Sequence, residues 1–476
     1  MRRYLATLLG CLSLLAALPL AAQTAKAEGE WLGALDAGPA KLRLALHVET
    51  EGDGSLGAVL DSIDQGAKIP VDTAVFEGGT LRLTLKGIGG AYEGKMSTDG
   101  SALEGTWSQA GQRLPLTFHR QEKAFAVSRP QEPKGPFPYE SREVTFRSAA
   151  GGAQLAGTLV VPAGQGPFPA VAMVTGSGPQ DRDETLMGHK PFLVIADALA
   201  RRGIVSLRWD DRGTAHSGGD HLGSTEEDFA ADARAAVAFL RDCPEVDGSA
   251  VGIVGHSEGG LIGPMVAATD KTVSFLVLLA PPGVPLRSLL ARQARDLLQA
   301  QGIDAKLLDR AMAAQAEDLA LIADPAISVD QLREKLKALA AARRSRLTAE
   351  ERARLKMDNG DLTEQTIRMS TSPWFRSLIR QEPAVYLRQV KVPVLALFGG
   401  KDLQVEPQSN AAGVRAALAG NPDHEERILP GLNHLFQHAG TGAVDEYGTI
   451  EETFSPEALG AIGDWITARF PRKPKG

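Results

Sequence analysis

Gly255-His256-Ser257-Glu258-Gly259 is the stretch on which the reading of this chain turns. It fits the pattern G-x-S-x-G. The apolar, β-branched run Val251-Gly252-Ile253-Val254 precedes it. Gly260-Leu261-Ile262-Gly263-Pro264-Met265-Val266-Ala267-Ala268, small and apolar like a buried helix, follows it. Strand, sharp turn and helix form the setting in which such a serine becomes a nucleophile. The turn forces the serine into a strained backbone conformation, and small residues two positions to either side let strand and helix approach closely. The hydroxyl then projects at the C-terminal edge of a sheet, with a helix N-terminus behind it. The alternative is a chance glycine-rich turn, and the chain holds its own comparison. Ala215-His216-Ser217-Gly218-Gly219 follows the polar, turn-like Trp209-Asp210-Asp211-Arg212-Gly213-Thr214 and runs into Asp220-His221. No strand feeds it and no helix leaves it, so it reads as a loop.

Around this motif lie 476 residues, too many for one ordinary core, which implies two or three domains. A hydrophobic fraction of 43% and a charged fraction of 23% fit an ordinary globular protein. With a net charge of −7 and no basic block interleaved with aromatics, nucleic-acid binding has no support. Arg2 and Arg3 followed by the apolar run Leu5 to Leu20 read as an export signal, with cleavage after Ala22 or Ala27. The run is short for a membrane span and Pro19 ends it, so no stable anchor is expected after signal removal. The expected location is periplasmic or secreted. Cys11 hints at a lipoprotein site, but the apolar core continues past it. Cys243 is then the one cysteine of the mature chain, so no internal disulfide is expected.

Residues 28–120 read as a small antiparallel β domain. Leu42, Leu44, Leu46 and Val48 alternate with polar neighbours, as do Leu81, Leu83 and Leu85, and glycine-rich turns recur between such runs. The aromatics Trp31, Tyr92, Trp107 and Phe118 read as its core in preference to a ligand platform. Residues 121–140, with Pro130, Pro133, Pro136 and Pro138, read as a semi-extended linker. From 141 onward, apolar strand-like runs alternate with helical ones. They are Leu155 to Val161, Ala170 to Val174, Ile204 to Leu207, Val251 to Val254, Phe275 to Leu279 and Val392 to Phe398. That alternation predicts an α/β domain over 141–476, a doubly wound and mostly parallel sheet. Capping boxes are predicted at Ser224 with Glu227 and at Thr348 with Glu351. Residues 285–388, rich in Ala, Leu, Arg, Lys and Glu, interrupt the alternation and read as a helical insertion. Ligands bind at the C-terminal edge of an open sheet, so the insertion is expected to cap that edge. Trp374 and Phe375 are candidate walls of a substrate pocket, with cap core as the plainer alternative.

A serine needs a base, and the base needs an orienting acid. In this architecture the chain order is serine, acid, histidine. Asp402 lies in the turn after the run Val394 to Phe398 and is the candidate acid, with Glu406 in reserve. His434 lies in the loop after Arg427-Ile428-Leu429 and is the candidate base. His438 reads as surface, His424 falls at the wrong edge of the sheet, and His256 reads as a packing residue. Two backbone N–H groups should face the oxyanion, those of Glu258 and of Ser177 in the loop Val174-Thr175-Gly176-Ser177-Gly178-Pro179. No cofactor or metal is called for, and nothing bears on oligomeric state.

Five segments together carry a resemblance. They are Thr175-Gly176-Ser177-Gly178-Pro179-Gln180-Asp181-Arg182-Asp183, Asp210-Asp211-Arg212-Gly213-Thr214, Gly255 to Gly259, Gly400-Lys401-Asp402-Leu403-Gln404-Val405 and Leu432-Asn433-His434-Leu435-Phe436-Gln437. Over roughly residues 140–470 the chain resembles the secreted bacterial α/β-hydrolases of carboxylesterase D type. Some of these also carry a β-rich N-terminal domain. The resemblance implies a serine esterase acting on small-molecule esters of short acyl chains. Relatives commonly carry His where this chain has Thr175, which leaves open what supports that loop. The alternatives within the fold are a peptidase or aminopeptidase and an acyltransferase. A non-catalytic binding protein would need an incomplete triad.

Overall fold

In this computed structural model the apolar run around Val254 is the heart of a large sheet, as its composition requires. The structure describes residues 26–36, 41–63, 67–109, 111–123, 128–355, 357 and 360–472, apart from the side chains at 41 and 360–363. The export signal expected at 1–27 therefore falls almost wholly outside the described residues. The chain divides at about residue 125 into two units.

The first unit is an antiparallel β structure. Its strands are β1 (Gly29–Asp36), β2 (Lys41–Thr50), β3 (Leu56–Ser62), β4 (Ala67–Pro70), β5 (Thr73–Glu77), β6 (Thr80–Leu85), β7 (Gly90–Met96), β8 (Ala102–Gln109) and β9 (Gln112–Gln121). They run in the order β2-β1-β9-β8-β7-β6-β5-β3-β4, and β2 also pairs with β3, which closes the sheet on itself. Closure removes the exposed edges that an open meander would leave. The alternation read in the sequence points inward as expected: Leu44, Leu46, Val48, Leu81, Leu83 and Leu85 are buried. Trp31, Tyr92, Trp107 and Phe118 are core. The Tyr92 hydroxyl donates to the Leu103 carbonyl at 2.8 Å, and its ring meets Phe118 edge-on at 5.1 Å. An aromatic so enclosed and hydrogen-bonded is packing, not a platform.

Among the described residues the second unit holds eight sheet strands: β10 (Tyr139–Arg147), β11 (Gln154–Pro162), β12 (Phe168–Val174), β13 (Val205–Trp209), β14 (Val246–His256), β15 (Leu276–Leu279), β16 (Val394–Gly399) and β17 (His424–Leu429). Their order is β10-β11-β13-β12-β14-β15-β16-β17. The pairs β10–β11 and β11–β13 are antiparallel, and every pair from β13 to β17 is parallel. The central strands β12, β15 and β16 are buried along their whole length and β14 is buried from Ala250 onward, which is why they read as apolar runs. Helices α1 (Pro191–Ala200), α2 (Glu226–Asp242) and α3 (Gly259–Ala267) supply crossovers between them. Between β15 and β16, among the described residues, lie the helices α4 (Leu286–Ala300), α5 (Ala305–Ala323), α6 (Val329–Ser345), α7 (Ala349–Arg354), α8 (Gly360–Ser370), α9 (Pro373–Leu378) and α10 (Pro383–Leu387). These form the helical insertion. Helices α11 (Pro407–Leu418) and α12 (Pro456–Arg469) complete the unit.

Two local expectations need correction. The capping box of α2 is Thr225 with Asp228, one residue later than Ser224 with Glu227. The Ser224 hydroxyl is spent on the Asp220 carbonyl at 2.7 Å, so Thr225 takes the cap. The box at Thr348 with Glu351 forms as expected. The proline-bearing segment is also less free than a linker. Arg129 donates to the carbonyls of Ile450 at 2.6 Å and of Met187 and Gly448 at 3.0 Å. Gln131 accepts from the backbone N–H of Thr453 at 2.6 Å and of Phe454 at 3.0 Å. From Arg129 onward the segment is pinned to the second unit by groups that local sequence does not reveal.

Candidate functional site

The elbow is built from strain and from the absence of side chains. Ser257 has φ +52°, the left-handed region that a residue with a Cβ rarely adopts. Its N–H is held by the Leu279 carbonyl at 2.8 Å. A Cβ on Gly255 would stand 2.1 Å from the Gly259 carbonyl oxygen, and one on Gly259 would stand 2.2 Å from that of Val174. Both positions therefore need glycine for close approach of backbone to backbone.

The candidate acid and base lie at the C-terminal ends of neighbouring strands. Asp402 follows β16 and His434 follows β17. Both are buried, and the Asp402 carboxylate accepts from His434 Nδ1 at 2.7 Å. The other carboxylate oxygen accepts from the N–H groups of Gln404 at 2.7 Å and Val405 at 2.9 Å, which fixes the acid's orientation. The base loop is locked from within. Asn433 accepts from the Leu435 and Gln437 N–H groups, each at 3.0 Å, and Phe436 turns the chain with φ +59°. The Ser257 hydroxyl forms no hydrogen bond to the His434 ring in this arrangement. Such bonds are commonly long in free enzymes and tighten with substrate.

The candidate oxyanion loop after β12 passes beside the serine. A Cβ on Gly176 would lie 3.4 Å from Ser257 Cβ. The loop is held by side chains after all: Thr175 Oγ1 donates to Asp211 at 2.9 Å, and Asp211 also accepts from the Gln180 N–H at 3.0 Å. No described residue accepts from the N–H of Ser177 or of Glu258.

The remaining candidates separate cleanly. Glu406 caps α11, accepting from the Gln408 and Ser409 N–H groups at 3.1 and 2.9 Å. Ser217 is structural: its hydroxyl donates to the Asp210 carbonyl at 2.6 Å and accepts from the Ala156 N–H at 2.9 Å. His424 pairs with Glu426 at 2.7 Å, and exposed His438 pairs with Glu452 at 2.8 Å. Trp374, in α9 of the insertion, is buried, and its indole N–H donates to Glu258 at 3.0 Å. The insertion thus reaches the residue after the candidate nucleophile. Phe375 packs against Trp374 at a ring separation of 6.1 Å. Neither lines the small cavity beside this loop, whose polar walls are Thr175, Asp211, His221, Asp232 and Glu258.

Sequence reasoning missed two things here. His256 is not a simple packing residue: its ring lies between Glu184 at 2.8 Å and the His434 carbonyl at 3.1 Å. The acids around the cavity were also missed. Burial pushes the Glu258 carboxyl up to about 7, against the pull of the Trp374 N–H, and pushes Glu226 and Asp211 well above the usual carboxylate range. Both Glu226 oxygens and one Glu258 oxygen have no hydrogen-bond partner.

Similarity to known proteins places the chain in a family. A family model, Hydrolase_4, described as serine aminopeptidase, S33, matches residues 190–438. The chain belongs to this family. The match takes in Ser257, Asp402 and His434, and begins after the oxyanion loop. Among similar proteins, esterase EstD of Thermotoga maritima is 27% identical over 300 residues, covering 63% of this chain and 61% of EstD. Acyl-coenzyme A thioesterase 3 of Mus musculus is 30% identical over 179 residues, covering 37% of this chain and 34% of the thioesterase. The chain thus spans about three fifths of EstD and a third of the thioesterase. Among solved structures, the Pyrococcus furiosus esterase PF2001 aligns over 73% of this chain and 99% of its own, at 16% identity and a TM-score of 0.43. Among the described residues no group of His, Cys, Asp and Glu could hold a metal ion, and no helix is long and apolar enough to cross a membrane.

Proposed function

We propose that this chain is a serine hydrolase that cleaves carboxylic esters, of short acyl chains, by way of an acyl-enzyme. The observation that carries the reading is the buried Asp402–His434 hydrogen bond of 2.7 Å at two strand ends, beside an elbow serine at φ +52°. Ser257 Oγ attacks the ester carbonyl carbon as His434 takes its proton. The oxyanion forms toward the N–H groups of Ser177 and Glu258, each such donor being worth roughly 3–4 kcal/mol of barrier. Collapse expels the alcohol, which leaves with the proton from His434. Water, deprotonated by the same ring, then attacks the acyl-enzyme and releases the acid. Asp402 holds the ring in the tautomer this requires and stabilises the imidazolium. The insertion that carries Trp374 and Phe375 bounds the acyl chain. The chain is exported, on the strength of Arg2, Arg3 and the apolar run after them.

The family's description as serine aminopeptidase favours a second reading, in which the same groups cleave an aminoacyl amide. Hydrolysis of p-nitrophenyl esters of graded acyl length, beside aminoacyl-p-nitroanilides, separates the two. Esterase function requires turnover of the short esters at a kcat/KM well above that for any anilide. Faster anilide cleavage would reverse the order.

A further inference from the structure

We infer that Glu184 and His256 form a buried ion pair that positions the base and the oxyanion loop together, His256 acting through the backbone carbonyl of His434. The inference rests on the triad reading above. Glu184 and His256 are both more than nine-tenths buried. One Glu184 oxygen accepts from the Gly176 N–H at 2.7 Å, in the oxyanion loop, and from His256 Nδ1 at 2.8 Å, in the elbow. The other ring nitrogen, Nε2, donates to the His434 carbonyl at 3.1 Å. The two ring nitrogens thus both face acceptors. A carbonyl oxygen cannot donate, and the Glu184 oxygen is already receiving an N–H. A neutral imidazole has one N–H and can satisfy one acceptor; an imidazolium satisfies both. With Glu184 accepting both N–H groups, the ring is the cationic partner of the pair. Burial opposes that charge, but the nearby Glu184 carboxylate and the His434 carbonyl outweigh it and hold His256 above its ordinary value. The pair is net neutral, which makes its burial tolerable.

The construction around it is specific. Glu184 sits at φ +54°, in a turn fixed by its own N–H on the Asp181 carbonyl at 2.9 Å and by Asp181 accepting from the Thr185 N–H at 2.9 Å. A Cβ on Gly176 would crowd Glu184 at 3.2 Å and His256 Nδ1 at 3.5 Å. One carboxylate and one ring thereby join three loops that must keep register: those bearing Ser177, Ser257 and His434. The ring centroids of His256 and His434 are 4.8 Å apart, so a shift of one is felt by the other. Glu184 and His256 touch no reacting atom in this scheme; they are positioning residues.

The test pairs nitrogen-15 NMR of the histidine ring with two amide substitutions. At pH 8 the wild-type His256 ring should carry protons on both nitrogens, and Glu184→Gln should leave it with one. His256→Gln keeps a donor near the Nε2 position; His256→Asn keeps one near Nδ1 and leaves the His434 carbonyl unpaired. His256→Asn should lower kcat roughly 10- to 100-fold, the cost of an unpaired buried acceptor beside the base. Its KM should stay within about twofold of wild type, since the lost hydrogen bond serves the base and not ground-state binding. His256→Gln should recover most of the loss. A neutral wild-type ring at pH 8 overturns the inference. So does a folded His256→Asn protein with wild-type kcat, or a folded His256→Gln protein as impaired as His256→Asn. If the wild-type protein turns over no ester, the function reading fails while the ring's protonation still decides the pair.

Discussion

At the scale of single residues, strain and polarity mark the site. Ser257 occupies a backbone region that costs a non-glycine residue on the order of 1–2 kcal/mol. A glycine there relieves the strain. Ser257→Gly should therefore melt higher than Ser257→Ala, by about 1 kcal/mol of stability in thermal unfolding, with both devoid of turnover. Equal melting of the two would mean that the elbow is not strained in solution. The glycine two positions on has the opposite requirement. Gly259→Ala drives a methyl into the Val174 carbonyl, 2.2 Å away. It should cost roughly 1–3 kcal/mol and most of the activity, because the oxyanion loop must move to admit it. Asp402→Asn preserves shape but favours the wrong imidazole tautomer. Its kcat should fall by about four orders of magnitude, with KM changed far less; a loss below tenfold would remove Asp402 from the relay.

At the scale of elements, the sequence already carried most of what positions the candidate triad. Buried parallel strands are continuous apolar runs, and their C-terminal turns are short, so Asp402 and His434 could be read from strand order alone. The elbow was legible because its glycines, strand and helix are contiguous. The Glu184–His256 pair was not: its partners lie 72 residues apart and follow no period. The same holds for Arg129 and Gln131, which bond to the backbone of Ile450 and of Thr453, each more than 300 residues away. The cap of α2 slipped by one residue because Ser224 and Thr225 are equally good cap formers. Among elements, α9 is the one whose role needs testing. Trp374 joins the insertion to Glu258, and Trp374→Ala should shift preference toward longer acyl chains and raise KM for short ones, at roughly 1–3 kcal/mol per lost methylene contact. An unchanged chain-length profile in the folded variant would make Trp374 a strut of the insertion and not a wall of the acyl pocket.

At the scale of the whole molecule, buried acids beside the site tie stability to pH. Glu258 titrates near 4.5 when unfolded and is pushed up to about 7 by burial. The folded state holds its proton longer, so its contribution to stability is greatest below pH 4.5 and is lost as pH rises toward 7. His189 and His221, held down to about 4 by burial, act in the opposite sense over an overlapping range. A difference between variants isolates Glu258. Glu258→Gln should gain stability relative to wild type between pH 5 and pH 8, by about 1.4 kcal/mol for each pH unit crossed between the two pKa values. Parallel curves would mean that Glu258 ionises normally in the folded protein. The central claim is narrower: that Ser257, activated by His434, is the nucleophile of an ester hydrolase. Labelling the intact protein with a fluorophosphonate probe and mapping the modified peptide tests it most directly. The account predicts label on Ser257 alone, in step with loss of ester turnover, and slowed by orders of magnitude in His434→Ala. Label on Ser217 or elsewhere, or ester turnover surviving in Ser257→Ala, would contradict it.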